Sequence, residues 1–273
     1  MKSLQNLHQH STFCDGRDTP EEIVLTAIEK GFGAIGFSGH IFTSFANHRT
    51  MPAETVTLYR KDIARLKEKY GEQLDIFCGI EFDALSPESP EGYDYVIGSL
   101  HGLRFDDGDY EFDGIPEHYT KMTNEHFAGD GMAFAKEYYR QLPYLAEVAD
   151  CDIIGHFDIV TKHLETLHLF DNTSKEYRFA AIEAAEALVG KIPYFEVNSG
   201  CVAKGCRSIP FPEPFLIKEM RRLGYGAIIS SDCHLKEKMD FHYQESKALL
   251  RSCGYEEHYI LTKNGFVPVP LDE

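Results

Sequence analysis

The 273 residues contain no Cys-x-x-Cys pair, no basic run, no linker-like Gly, Ser or Pro tract, and no apolar stretch near the ~20 residues of a membrane helix. Each absence excludes something. Seven cysteines, Cys14, Cys78, Cys151, Cys201, Cys206, Cys233 and Cys253, are an odd, scattered set, which argues against a zinc ribbon or a disulfide framework and suits reduced thiols in a cytoplasm. Without basic clusters to offset 44 acidic residues, the net charge is -17, so a nucleic-acid backbone would be repelled. The N-terminus has no cationic segment leading into an apolar one, so a soluble, unexported, cytoplasmic protein that does not enter the membrane is expected. Oligomeric state leaves no trace in the sequence. With 43% hydrophobic and 26% charged residues, composition is that of an ordinary globular protein, and one domain spanning residues 1–273 is expected.

What is present is an alternation. The stretch DTPEEIVLTAIEKG carries a capping residue, a proline in the first turn, early glutamates, apolar positions at Ile23, Ala27 and Ile28, and a terminating Gly31, which together predict a helix. Further helices are predicted over residues 54–70, 132–149 and 173–189. Between them lie apolar strand candidates: the N-terminal segment, AIGFS, LDIFCGIEF, YDYVIGSLH, DIIGHF, YFEVNS and GAIISSD. Seven strand–helix units imply an α/β protein with a mostly parallel sheet, better accommodated by a barrel than by an open doubly wound sheet. Residues 104–131, with FDDGDYEFDGIPEH, break the rhythm and read as an active-site insertion or lid.

Two histidines stand one residue apart in LHQHS. On a strand, residues i and i+2 project to one face, so His8 and His10 can offer two nitrogens to one point. A lone His-x-His proves little in a chain with 13 histidines. The weight comes from repetition, because nearly every predicted strand ends in a potential ligand: Asp15, His40, Glu81, His101, His156, Asp232 and His234. A strand-end histidine can bond a loop and a carboxylate can cap a helix, so each residue singly has an ordinary structural use. In a parallel barrel, however, all these strand ends meet at one rim. Nitrogen and carboxylate oxygen without cysteine favour Zn, Mn or Fe, and Cys233 within SSDCH is expected to pack away from the site.

Taken in order, LHQHS, FSGH, GIEFD, GSLH, IIGHFD, EVNSG and SSDCH resemble the motifs of the polymerase and histidinol phosphatase (PHP) family along nearly the whole chain. The resemblance implies a distorted (β/α)7 barrel, TIM-like, with three divalent metals. Carried over by position, His8, His10, Glu81 and Asp232 would hold one metal. Glu81 would bridge to a second held by His101 and His156, and Asp15, His40 and His234 would hold the third. Two departures stand out: many members have histidine where Asp15 stands and an acidic residue in place of Gly39. Within the family, the compact length and the SGxxxKG-like loop after EVN are similar to histidinol-phosphate phosphatases, which implies hydrolysis of L-histidinol phosphate in histidine biosynthesis. Another small phosphate ester, a nucleotide or an oligonucleotide is the alternative substrate.

Clustered dications suit that chemistry, since a phosphate monoester repels hydroxide until its charge is neutralised. Glu81 would act by bridging metals, and Asp232 or His234 could assist proton transfer to the leaving group. Lys204 and Arg207, then Arg17 and Lys162, are the candidate phosphate grips. Asp106, Asp107, Asp109, Glu111 and Asp113 would favour a cationic substrate. Two rivals of other classes remain. CVAKGCRS matches the Cys-x5-Arg pattern of thiol phosphatases, although Pro210, Pro212 and Pro214 disfavour the helix that such a loop needs. The other is a metal-binding or regulatory protein without catalysis.

Overall fold

A computed structural model describes residues 4–272. Its strands are β1 (Gln5–Asn6), β2 (Ala34–Phe37), β3 (Asp75–Asp83), β4 (Tyr95–Ser99), β5 (Gly102–Phe105), β6 (Gly108–Glu111), β7 (Ile153–Ile154), β8 (Tyr194–Asn198), β9 (Gly226–Ser230), β10 (Glu257–Thr262) and β11 (Gly265–Pro270). Seven of them pair in parallel in the order β1-β2-β3-β4-β7-β8-β9. The ends are joined by a parallel bridge between Gln9 and Cys233, where the His10 N–H donates to the Cys233 carbonyl at 3.0 Å and the Cys233 N–H to the His8 carbonyl at 3.3 Å. The result is a nearly closed barrel, the expected α/β architecture.

Sequence pattern and element agree where local signals are strong. Thr19 caps the helix Pro20–Glu29 and forms a reciprocal capping box with Glu22, an arrangement of about 1 kcal/mol. Helix Ala53–Tyr70 buries Tyr59, Ile63 and Leu66, roughly 1.5–3 kcal/mol for each aliphatic side chain. These faces pack on the outside of the barrel. A separate cluster of Leu7, Ala34, Phe77, Tyr95, Ile97, Ile153, Ile228 and Leu261 fills its interior at early strand positions. Leu261 comes from the antiparallel hairpin β10–β11, and the Gln5 side chain bonds both its backbone groups at 2.8 Å. With that end filled, the opposite rim is free to hold chemistry.

Three expectations need correction. Residues 132–149 are not one helix but Gly131–Gln141, a 3-10 turn at Leu142–Tyr144, and Leu145–Val148, because Pro143 has no N–H to continue the ladder. Residues 84–94 join β3 to β4 without a helix, so the seven strands are not seven complete strand–helix units. β1 ends at Asn6, before His8. The i,i+2 relation of His8 and His10 rests instead on the Gln9–Cys233 bridge, which keeps the chain extended one step further.

Residues 104–131 contain most of the hairpin β5–β6 and the helix Pro116–Phe127. That helix buries only Tyr119, Met122 and Thr123, too few positions to give the sequence a visible period. Among the described residues no helix is long and apolar enough to cross a membrane.

Candidate metal centre

Six of the seven parallel strands deliver a ligand side chain to the same rim. Glu81 lies within β3; His8, His101, His156 and Asp232 stand two residues past β1, β4, β7 and β9, and His40 three past β2. Asp15 and His234 arrive on the loops that follow. All nine residues expected from the sequence come together here, their ligand atoms falling into overlapping groups within 4.8 Å: His10, Asp15, His40 and His234; His8, Glu81 and His156; His8, His10 and Asp232; His40, Glu81 and His101.

Glu81 is the hub. Its Oε2 is 3.2 Å from His8 Nε2, 3.6 Å from His10 Nε2 and 2.8 Å from His40 Nδ1. Its Oε1 is 3.1 Å from His101 Nε2 and 2.9 Å from His156 Nε2, and accepts from Ser99 Oγ at 2.9 Å. Asp232 Oδ1 lies 3.2 Å from His10 Nε2 and 3.7 Å from His8 Nε2. On the outer side, Asp15 Oδ2 is 3.2 Å from His234 Nε2 and 3.7 Å from His40 Nε2. Donors bonded at 2.0–2.1 Å around a tetrahedral ion sit about 3.3 Å apart, so several of these separations are those of a ligand sphere.

The buried atoms His8 Nε2, His10 Nε2, Glu81 Oε2 and Asp15 Oδ1 make no well-directed hydrogen bond, although His8 Nε2 and His10 Nε2 lie 3.2 and 3.6 Å from Glu81 Oε2, and Asp15 Oδ1 lies 3.5 Å from His10 Nδ1. Leaving them so is costly. Cations in the overlapping groups that hold these atoms would satisfy them, Asp15 with His10, His40 and His234 and the other three with the inner ligands, and the donor set therefore fits divalent metals.

The electrostatics point the same way. Burial penalises the charged forms of Glu81 and Asp232, yet the surrounding imidazoles outweigh it and hold both pKa values well below the carboxylate range. Burial likewise opposes protonation of His101, but Glu81 and Asp83 lift its pKa to about 10, and carboxylates raise His8 and His40 as well. His10 goes the other way, to about 3, because burial is reinforced by His234 and His40. In this cluster imidazolium charge stands where cation charge is wanted.

Sequence reasoning passed over the residues that orient these ligands. Glu196 on β8 meets Nδ1 of His8 at 3.0 and 2.9 Å, accepts from the His156 N–H at 2.7 Å and from Asn198 Nδ2 at 2.7 Å, and takes the Ser230 hydroxyl. Asp83, two residues after Glu81 on the same face of β3, meets His101 Nδ1 at 2.9 Å and its N–H at 2.9 Å. The signal was the period-two spacing in EFD and EVN. Asp232 is also held at φ +44°, a left-handed conformation uncommon outside glycine and typical of functional positions.

The candidate anion grips divide. The Lys162 ammonium bonds Asp113 Oδ1 at 2.7 Å. Arg49, missed in the sequence, bonds Asp113 Oδ2 at 3.1 Å and Glu111 at 3.0 Å, leaves its Nε unpartnered, and acts electrostatically on His101 and Asp15. Lys204 is exposed and its charge helps hold Asp232 ionised. Arg17 is exposed beside the His234 carbonyl, to which its backbone N–H donates at 3.0 Å. Arg207, by contrast, is buried and committed to Thr161, Glu213 and the face of Phe211, which leaves little of it to offer the rim. Asp109 pairs with Arg104, while Asp106 and Asp107 are exposed.

The thiol-phosphatase arrangement is not formed. Cys201 lies inside the short helix Gly200–Ala203, its thiol pKa is raised, and the next helix, Pro214–Arg222, begins well after Arg207. Cys233 is buried against Gln9 and Asn6, away from the ligands.

The profile of the PHP domain matches residues 6–200. A Schizosaccharomyces pombe protein named "Probable histidinol-phosphatase" is 25% identical over 90% of this chain and 86% of its own length. The histidinol-phosphatase of Bacillus subtilis is 23% identical over 90% of this chain and 98% of its own. The histidinol phosphate phosphatase of Lactococcus lactis, solved with zinc, L-histidinol and phosphate, superposes with a TM-score of 0.75 at 18% identity, covering 98% of this chain and all (100%) of that one.

Proposed function

The chain belongs to the PHP family, and from that premise we propose that it is a divalent-metal-dependent phosphatase hydrolysing L-histidinol phosphate to L-histidinol and phosphate. The observation that carries this reading is the convergence of nine imidazole and carboxylate side chains on one rim, in a chain whose relatives bear that activity in their names.

In this reading three ions are held: one by His8, His10, Glu81 and Asp232, a second by Glu81, His101 and His156, and a third by Asp15, His40 and His234. Bound zinc, manganese or iron supplies Lewis acidity, neutralising phosphate charge and making water acidic enough to attack at neutral pH. The protein's own part is orientation and charge. Glu196 and Asp83 fix which imidazole nitrogen faces the centre. Lys162 and Arg49, paired through Asp113, and Lys204 beside Asp232 draw the ester's anionic oxygens to the rim. Asp232 and His234 are less enclosed than Glu81 and the inner imidazoles, which supports one or the other assisting proton transfer to the leaving alkoxide. The net charge of -17 favours the cationic end of an amino-alcohol phosphate and opposes a polyanion.

The test is phosphate release from histidinol phosphate, nucleotides and sugar phosphates after reconstitution with each metal. A preference of at least about 100-fold in kcat/KM for histidinol phosphate is expected, worth roughly 2.7 kcal/mol of differential transition-state binding. Comparable rates across the panel overturn the substrate; no turnover of any ester with fully loaded protein overturns the activity.

A further inference from the structure

Cys201 and Cys206 are set at the two ends of one defined turn. The helix Gly200–Ala203 runs out through Lys204 into Gly205, whose φ of +73° only glycine adopts freely. The Gly205 N–H donates to the Val202 carbonyl at 3.0 Å and the Cys206 N–H to the Cys201 carbonyl at 2.9 Å. This paired pattern is a Schellman motif, and its geometry brings the side chains of the first and last residues together. Those residues are the two cysteines, so the turn sets their side chains against each other, close enough for each thiol to shift the other's pKa. The sequence alone showed only a Cys-x4-Cys spacing.

The two sulfurs are not equivalent. Cys201 is buried. Cys206 is half-buried next to the exposed Lys204 and Gly205. The Cys201 thiol lowers the Cys206 pKa most; burial opposes, and His163, Lys162 and Lys204 add to the lowering. Burial raises the other thiols, Cys14, Cys151 and Cys233 to about 12, Cys78 to about 11, and Cys253 upward as well.

We propose that Cys201 and Cys206 form a redox-active dithiol, which a hydroperoxide closes to a disulfide with Cys206 attacking and Cys201 resolving. The Cys206 thiolate attacks a peroxide oxygen, the O–O bond breaks, and Cys206 becomes a sulfenic acid as hydroxide leaves. Cys201 sulfur then attacks the Cys206 sulfur, the S–O bond breaks, and the departing hydroxide takes the Cys201 proton. The proton that Cys206 had released neutralises the first hydroxide. In sum two thiols lose two electrons and one hydrogen peroxide becomes two waters. This site is separate from the metal ligands and stands whether or not the phosphatase reading does.

The experiment uses the full chain loaded with zinc, which does not itself react with peroxide, freed of reductant and given one equivalent of hydrogen peroxide. Intact mass should fall by two hydrogens, peptide mapping should find Cys201 joined to Cys206, and dithiothreitol should reverse both. Cys201→Ser should leave a sulfenic acid at Cys206 that dimedone traps, and Cys206→Ser should keep its mass over the same period. In unmodified wild-type protein, Cys206 should alkylate at least ~tenfold faster at pH 7 than any other cysteine. The proposal fails if another cysteine pair cross-links first, if Cys206 alkylates no faster than the rest, or if Cys206→Ser oxidises as fast as wild type.

Discussion

Both carboxylate oxygens of Glu196 close on Nδ1 of His8, at 3.0 and 2.9 Å, so the proton of that imidazole is fixed on Nδ1 and Nε2 is turned, unprotonated when a cation is bound, toward Glu81 and Asp232. Glu196→Gln keeps the volume but removes the charge that makes this arrangement one-sided. Metal affinity is expected to drop about 10–100-fold, the usual effect of losing such a partner. Competition with a chromogenic chelator measures it, and unchanged affinity refutes the orienting role.

Metal uptake should expel protons. His8 and His101 have pKa values raised well above the ordinary imidazole range in the metal-free protein, His101 to about 10, so they carry protons near pH 7, and His40 is shifted in the same direction. A ligand nitrogen must be free, so binding displaces those protons and apparent affinity rises with pH between 6 and 8. His10, at about 3, contributes none. Calorimetric titration of zinc in buffers of different ionisation enthalpy reads the proton count directly, and a buffer-independent heat contradicts the charge assignment.

The ligands were legible because chemistry restricts them to a few residue types and a parallel barrel restricts them to strand ends. The supporting residues were harder to see. Glu196 and Asp83 are ordinary strand carboxylates until His8 and His101 are placed opposite them. Arg49 follows no strand signal at all and gains its meaning only from Asp113, 64 positions away. Arg207 shows the converse: as a basic residue in the loop after the sixth parallel strand, it reads as an anion grip, but folding surrounds it with Thr161, Glu213 and Phe211. The broken helix over 132–149 was readable in principle, since Pro143 sits in the middle of it.

Asp158 should make acid stabilising over a defined window. It is fully buried, its Oδ1 has no partner, and desolvation raises its pKa to about 6 despite the nearby Arg207. The folded pKa thus exceeds the unfolded value of about 3.9, so the folded state binds the extra proton and stability falls as pH rises from about 4 to 6. Above that window the penalty is constant, of order 3 kcal/mol. Asp158→Asn can still accept the Glu213 N–H and escapes the penalty. Urea midpoints for the two proteins should therefore diverge in favour of Asn between pH 4 and 6; a pH-independent difference counts against the assignment.

Gly200 is required by proximity. A Cβ there would stand 2.9 Å from the Asp232 Cβ, and 3.1 Å from both Asp232 Cγ and Asn198 Oδ1. Asp232 already holds a left-handed backbone and has no slack to retreat. Gly200→Ala should displace its carboxylate from His8 and His10 and lower kcat/KM by about 10²-fold, as misplacement of a reacting group near 1 Å does. Thermal unfolding should shift by only a few degrees. Wild-type activity in this variant sinks the placement of Asp232.

Arg49, Asp113 and Lys162 form the arrangement on which anion binding depends. Asp113 is buried, receives Lys162 at 2.7 Å and Arg49 at 3.1 Å, and accepts the Tyr119 hydroxyl at 3.3 Å; burial is overcome by the two cations, which hold it ionised. Glu111 also pairs with Arg49 at 3.0 Å, so two carboxylates balance the two cations, and what the trio can offer an anion is the unpartnered Arg49 Nε and the remaining Lys162 donors. Lys162→Met and Arg49→Met each remove a charge-assisted contact of roughly 1.5–3 kcal/mol, so KM for the phosphate ester and Ki for inorganic phosphate should both rise about 10–100-fold. Asp113→Asn should do something different, because both cations survive but lose their anchor: kcat falls more than KM rises. If all three variants alter folding stability and leave phosphate inhibition at the wild-type level, the trio is a structural ion-pair network and the anion is held elsewhere on the rim.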